Sequence, residues 1–493
     1  LSTSTSWPGR SRRSSPAGVL IDRGEGKPSP RSLETRPWRL QMKLMRTRMR
    51  PGGPGTIRRE QESDFREVAR VAPVALLLKV FGAVLVFGFN VLLARLVGPD
   101  GAGLYFLALS VTSVAAVTGR VGLDFAVVRF TASHATHGEW DRVAGLHRMS
   151  VRIAIGFSAV GMLLVLAGAG FASRTVFSEP SLEAPLRLMG LSILPLAVGS
   201  LYGALLKGLR RVRDALVPES VILPVLGILI LGVFGRRFGL GAATVGYLVG
   251  AGALCAVSVA LWRRATPQLR GREGHFDRRL LLRTSLPLAW VAGMQLVMHY
   301  ADILMVGIYL DKSAAGVYGV VLRTATLVGF ILIAVNQIAP PKFAALYARG
   351  DLEGLGRLAR RSSLLTTLAA LPIAAPLLLA PGKVLGLFGP QFRAGAVALA
   401  ILAVGQLINA ATGPVGFLLI MTGHERSARN VMVAGALTFV SLNAALIPTF
   451  GINGAALSFA ASGAGMMLAQ ARVAYRRLSI AVLPIPRRRS DHA

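Results

Sequence analysis

Residues 286–310 form an apolar run that the polar triplet Asp311-Lys312-Ser313 ends, and apolar sequence resumes at Ala314. About 20 apolar residues in a helix cross the hydrocarbon of a bilayer. Within hydrocarbon only helices and closed barrels satisfy their own backbone. Runs of this kind recur at 71–96, 102–119, 152–172, 185–205, 215–235, 239–261, 286–310, 314–338, 364–388, 394–421, 429–449 and 453–475. They predict an all-α polytopic membrane protein of about twelve transmembrane helices. With 53% hydrophobic residues, 16% charged residues and a mean hydropathy of +0.56, the composition excludes an ordinary soluble domain.

The net charge of +32 would suggest nucleic acid in a soluble protein. Here the basic residues fall in the tails and in alternate loops. The loops after crossings 2, 4, 6, 8 and 10, with the C-terminal tail, carry about 29 Lys and Arg against about 6 on the other side, which places both termini in the cytoplasm and predicts contact with membrane lipids, not nucleic acid. Arg236-Arg237 is an exception on the outer side. The lone cysteine, Cys255, rules out an intrachain disulfide. His134, His137 and His147 have no metal-ligand spacing, and neither metal nor cofactor is expected.

Pairs of short motifs recur about 212 to 215 residues apart and in order. Gly103-Leu-Tyr105 matches Gly316-Val-Tyr318, Arg129-Phe130 matches Lys342-Phe343, and Gly138-Glu139 matches Gly350-Asp351. Gly208 with Arg211 matches Gly423 with Arg426, and Gly241-Ala-Ala matches Gly454-Ala-Ala. A single ordered offset predicts two six-helix lobes of the same orientation, a parallel repeat with its site between them. The boundaries are a basic tail without apolar period at 1–64, an N-lobe at 65–262, a basic cytoplasmic linker at 263–285, a C-lobe at 286–476 and a basic tail at 477–493. The tail at 1–64 is expected to be disordered. The chain starts at Leu1, with Met42, Met45 and Met49 as candidate starts. Segments 131–150 and 344–363 are expected to lie as amphipathic linkers on the membrane surface.

Ala94-Arg95 through Gly98-Pro99-Asp100 to Gly103-Leu-Tyr105, with Gly122-Leu-Asp124 and Arg129-Phe130, resembles the first hairpin of polysaccharide-biosynthesis flippases. Tyr300-Ala-Asp302, Ala315-Gly316-Val-Tyr318 and Pro341-Lys-Phe343 resemble it in the second half. That family belongs to the superfamily of the multidrug and toxic compound exporters and the lipid II flippase. The resemblance covers roughly residues 68 to 476. It implies that fold, and movement of undecaprenyl-pyrophosphate-linked oligosaccharide to the outer leaflet of the cell membrane by alternating access. A polysaccharide polymerase and export machinery are the protein partners this implies.

Such a cargo needs a hydrated, cation-lined path for its diphosphate and sugars. The expected cargo cations are Arg323, Lys79 and Arg129. Arg95, near the outer end of its crossing, reads as an interface anchor. Asn90, Asn336 and Gln337, with Gln406 and Asn409, are the expected sugar contacts. Asp302, His299 and Gln295 share a helical face at spacings of three and four, and Asp302 with His299 is the expected ion-coupling pair. Glu219, just after Pro218, reads as a helix-start acid. No phosphate-binding Gly-x-x-x-x-Gly-Lys motif occurs, so a built-in ATPase is not indicated. A cation-coupled drug exporter of the same fold is the alternative, although helix 1 carries Lys79 and Asn90 and no acid. An enzyme is disfavoured because the longest outer loop, 173–184, offers little beyond Glu179 and Glu183.

Overall fold

The computed structural model describes residues 54–482, with side chains from residue 74 onward; the side chains of Val291, Ala334 and Gln337 are outside the description. The expectations for residues 1–53, Met42, Met45 and Met49 among them, and for 483–493 therefore lie outside the described residues. Helix begins at Pro54, earlier than the boundary expected at residue 64. The sequence Arg58-Arg-Glu-Gln-Glu62 supplies strong helix formers there. By its contacts the chain divides into a unit through Glu67 and a body from Val68 to Ala493.

Every regular element among the described residues is helical. The α-helices are α1 (Pro54–Gly119), α2 (Leu123–Thr136), α3 (Trp140–Phe171), α4 (Glu183–Gly190), α5 (Ile193–Gly208), α6 (Val212–Val217), α7 (Leu223–Phe238) and α8 (Leu240–Ala265). The second half continues with α9 (Arg278–Tyr309), α10 (Lys312–Ala325), α11 (Phe330–Ala348), α12 (Leu352–Leu379), α13 (Pro381–Gly386), α14 (Ala396–Thr412), α15 (Val415–Met421) and α16 (Glu425–Leu478). Among the described residues nine helical stretches, or ten counting a pair bent by 43°, are long and apolar enough to cross a bilayer. Leu163, Leu164, Leu229, Val233 and Leu365 expose their side chains on these stretches. Water would not tolerate so continuous an apolar exterior, so this is a multi-pass membrane protein.

Two of the long helices fold back on themselves. In α1 the backbone breaks at Gly98 (φ 67°, ψ −174°). The Phe89 and Tyr105 rings on either side are 5.6 Å apart, whereas a straight helix would separate them by about 24 Å. In α16 the break is at Gly451, and Phe439 and Phe459 lie 6.1 Å apart where a straight helix would place them about 30 Å apart. Both are hairpins closed by a glycine at positive φ, a region that costs a residue with a Cβ.

The sequence offset recurs in the backbone. Gly239, between α7 and α8, has φ 50° and ψ −120°; Gly451, 212 residues on, has φ 59° and ψ −139°. After α2 the Glu139 N–H donates to the His134 carbonyl at 2.9 Å, and after α11 the Asp351 N–H donates to the Leu346 carbonyl at 3.1 Å. The segments 131–150 and 344–363 each consist of a helix end, a tight turn and the start of the next helix, with Val143, Leu146, Leu355 and Ala359 buried.

The segment expected to link the halves is strapped to α3. Arg272 pairs with Asp141 at 2.8 Å, and Arg148 donates to the carbonyls of Arg272 (2.8 Å) and Gly274 (3.3 Å). The Phe276 ring stands edge-on to Phe130, with centroids 5.3 Å apart. One apolar core runs through both halves, joining Leu93, Tyr105 and Phe106 to Val306, Tyr318 and Val320.

Candidate transport cavity

Two adjoining cavities, about 290 and 390 Å³, open between the first and second halves. Val86, Asn90, Arg323 and Thr326 line both. The walls come from α1, the start of α7 and α8 on one side, and from α9, α10 and the start of α11 on the other.

Arg323 sits in the last turn of α10, where the helix dipole favours a cation. A 3₁₀ turn, Thr326–Gly329, interrupts the span directly after it. Its guanidinium carbon lies 3.8 Å from the centroid of the Phe106 ring, and Nη1 donates to the Gly319 carbonyl at 3.0 Å. One face is thus stacked and one donor engaged. The fork has five donors, so the rest are directed elsewhere, and no carboxylate lies within ion-pair distance among the described residues. Lys79 lines the smaller cavity and has no ion-pair partner there either. Asn90 is buried and donates to the Val86 carbonyl at 2.8 Å, which leaves its Oδ1 and second amide hydrogen for the cavities.

Of the residues expected to couple ions, His299 lines the larger cavity and Asp302 lines neither. Asp302 is fully buried behind the wall. The Tyr318 hydroxyl donates to its Oδ2 at 2.8 Å and the Ile303 N–H to its Oδ1 at 2.8 Å. Gln295 is exposed one turn before His299 and lines neither cavity. Shared helical facing therefore did not give shared surroundings, because Tyr318 covers the level of Asp302.

Arg129 is exposed on α2 and lines neither cavity, because α2 buries its opposite face, Leu123, Ala126 and Val127. Asn336 lines neither, and its Oδ1 is buried without a partner. The Gln337 side chain lies outside the described residues. Arg95 donates to the Leu387 carbonyl at 2.8 Å, a contact from the first half to the second. His134 hydrogen bonds to Glu139 at 2.6 Å, a bond that holds the Glu139 carboxyl below its usual range. No cluster of three metal-ligating side chains occurs among the described residues.

Tyr105, Tyr247 and Tyr300 line the larger cavity and Ser220 the smaller, none of them a site residue in the sequence reading, and Glu219, read there as a helix-start acid, lines the smaller one too. Glu219 lies in a π-helical turn, Pro218–Ile222, that joins α6 to α7. Such single turns cluster at functional sites, and Pro218 is the sequence signal for one, since it withholds a backbone donor.

The family described as "Polysaccharide biosynthesis protein" matches residues 92–395, more than half of the chain. The chain belongs to that family. A probable flippase of Haloferax volcanii, AglR, is 26% identical over 163 residues, 32% of this chain and 34% of that protein, so the match spans about a third of that relative. A putative O-antigen transporter of Shigella flexneri is 24% identical over 379 residues, 74% of this chain and 88% of the relative. Among solved structures, an inward-facing multidrug resistance MATE family transporter of the MOP superfamily aligns with a TM-score of 0.68 at 15% identity, over 83% of this chain and 98% of that one. The lipid II flippase MurJ in an inward closed conformation aligns with a TM-score of 0.65 at 14% identity, over 81% and 87%. These structures share the fold with this member of the polysaccharide biosynthesis family.

Proposed function

We propose that the protein is a transporter, not an enzyme, that flips a polyprenyl-diphosphate-linked oligosaccharide from the cytoplasmic to the outer leaflet of the cell membrane. The single observation that carries this reading is the pair of cavities between the two halves with Arg323 in both walls. The family and the flippase and O-antigen transporter relatives support the same cargo class. Arg323 and Lys79 supply charge for a diphosphate, and Asn90, Thr326 and the tyrosines supply partners for sugar hydroxyls. Exposed apolar side chains beside the smaller cavity, Phe81, Val84 and Ile333, leave the polyprenyl tail in lipid.

Counting each hairpin helix as two crossings and the bent pair as one gives twelve, in two six-helix lobes. With both termini cytoplasmic, two of the contacts that join the halves fall on the outer face. Lys312 pairs with Glu179 at 2.9 Å, and Arg95 reaches Leu387. On the cytoplasmic side α9 also meets the first half, where a Cβ on Gly122 would clash with the Ala289 backbone N and the Ser285 carbonyl. The outer contacts close that face in this state, and rocking of the lobes transfers the cargo. An inside-negative potential favours outward movement of an anion by roughly 2.3 kcal/mol per charge per 100 mV. His299, with Asp302 behind it, is the group through which an ion would couple. Two cations against one acid, Glu219, in the smaller cavity disfavour export of organic cations.

The test is leaflet exchange in vesicles holding the purified protein and a short labelled polyprenyl-diphosphate oligosaccharide. Potential-dependent exchange that falls at least tenfold in Arg323→Gln, with normal insertion, supports the reading. Undiminished exchange in that variant removes Arg323 from the site, and extrusion of organic cations without lipid exchange replaces the flippase by a drug exporter.

A further inference from the structure

A cavity built for a diphosphate should exclude carboxylates, yet Glu219 lines the smaller one together with Lys79 and Arg323. It is not there as a salt-bridge partner: among the described residues no cation lies within 4.0 Å of its carboxylate. Nor is it a stray surface acid. The π-helical turn that holds it is wedged against α1, where a Cβ on Gly82 would come within 2.6 Å of the Ser220 carbonyl. The backbone therefore places Glu219 at the cavity wall, where its side chain is exposed and has no ion-pair partner among the described residues.

We infer that Glu219 lets the cavity distinguish a glycosylated polyprenyl diphosphate from the bare one. This rests on the proposed function and names the specificity element of that site. A carboxylate accepts hydrogen bonds and donates none, so the sugar hydroxyls of a loaded carrier are its natural partners. Ser220, Asn90 and Thr326 line the same cavity and offer further polar groups, and Phe87 and Phe330 add aromatic surface to its wall. The bare carrier brings the opposite chemistry. Its terminal phosphate keeps an ionisable proton with a pKa near 6 and is largely doubly charged at neutral pH, whereas the glycosylated phosphate is a diester with no such proton. The bare carrier thus meets Glu219 with more negative charge and no hydroxyls. Repulsion of the wrong ligand and hydrogen bonding to the right one act through a single side chain.

The test is equilibrium binding to the purified full chain of two probes, a polyprenyl diphosphate bearing a disaccharide and the same lipid without sugar. The variants are Glu219→Gln, which removes the charge, and Glu219→Asp, which keeps it; monodispersity of both is checked by size exclusion. The wild type is expected to prefer the glycosylated probe by about tenfold or more. Glu219→Gln should cut that preference to about twofold, chiefly by binding the bare lipid more tightly, and Glu219→Asp should retain most of it. An unchanged preference in Glu219→Gln, or no preference in the wild type, overturns the inference and leaves the flippase reading standing. Failure of the wild type to bind either lipid overturns both.

Discussion

Gly103 and Gly316, 213 residues apart and in equivalent positions of the repeat, lie face to face. A Cβ on Gly103 would overlap the Lys312 carbonyl, and one on Gly316 would overlap the Pro99 carbonyl. Each glycine thus abuts the turn that precedes the other's helix, a reciprocal contact like that of an isologous interface. The backbones of the two halves touch here, and only hydrogen side chains allow it.

Replacing either glycine should therefore force the halves apart at this face. Gly103→Leu is expected to raise the reactivity of Glu179→Cys toward a membrane-impermeant maleimide several-fold and to slow transport. Gly316→Leu should do the same, and the double variant should add little, because one wedge already opens the contact. Equal labelling in all backgrounds would show that the contact does not hold this face shut.

The Glu179–Lys312 pair bridges the same face at 2.9 Å, with 18% and 31% of the side chains exposed. Partly exposed pairs contribute about 0.2–1 kcal/mol, enough to shift a conformational equilibrium by about 1.4- to fivefold. Glu179→Gln is expected to increase labelling at a neighbouring reporter on this face by about that factor. The exchanged pair, Glu179→Lys with Lys312→Glu, should restore it. Without such rescue, the lysine acts through Asp311 and the turn rather than through Glu179.

The strap of residues 270–276 on α3 has a direct readout. Arg148 holds the carbonyls of Arg272 and Gly274, and Asp141 holds the Arg272 guanidinium. Arg148→Ala should free the segment, so that trypsin cleaves after Arg270 or Arg272 several-fold faster while the rest of the body resists. An unaltered cleavage rate would assign the anchoring to the Phe276–Phe130 contact instead.

Much of this was legible in sequence because lipid simplifies the code. An apolar run must be a helix, and a glycine such as Gly98 or Gly451 between two runs must be a turn. The repeat was readable because turn chemistry, as at Gly138-Glu139 and Gly350-Asp351, depends on local residues. In the site, Arg323, Lys79, Asn90 and His299 stood out because polar groups at membrane depth are few. Facing did not stand out, since a helix apolar on all sides carries no marker of which side meets the cavity. Glu219 looked like an ordinary residue at a helix start after proline. Its placement depends on a π-helical turn that packing against α1 imposes, and no periodicity encodes that.

Asp302 and Tyr318 form a buried pair across the α9–α10 turn, and the two groups separate structural from functional roles. Tyr318→Phe removes the hydroxyl that donates to Oδ2 and leaves only the Ile303 N–H on Oδ1. A buried acceptor left without its partner costs about 1–3 kcal/mol, so this variant is expected to melt several degrees lower. Asp302→Asn keeps an oxygen for the tyrosine and should be milder in stability. If Asp302 only braces the turn, Asp302→Asn transports normally with the pH profile of the wild type. If it carries a coupling proton, transport in Asp302→Asn loses its pH dependence while thermal stability is nearly retained. Melting curves and pH-dependent leaflet exchange on the two variants, measured together, decide between these outcomes, and the bracing role is the one expected, because Asp302 lines neither cavity and both its oxygens are engaged by the Tyr318 hydroxyl and the Ile303 N–H.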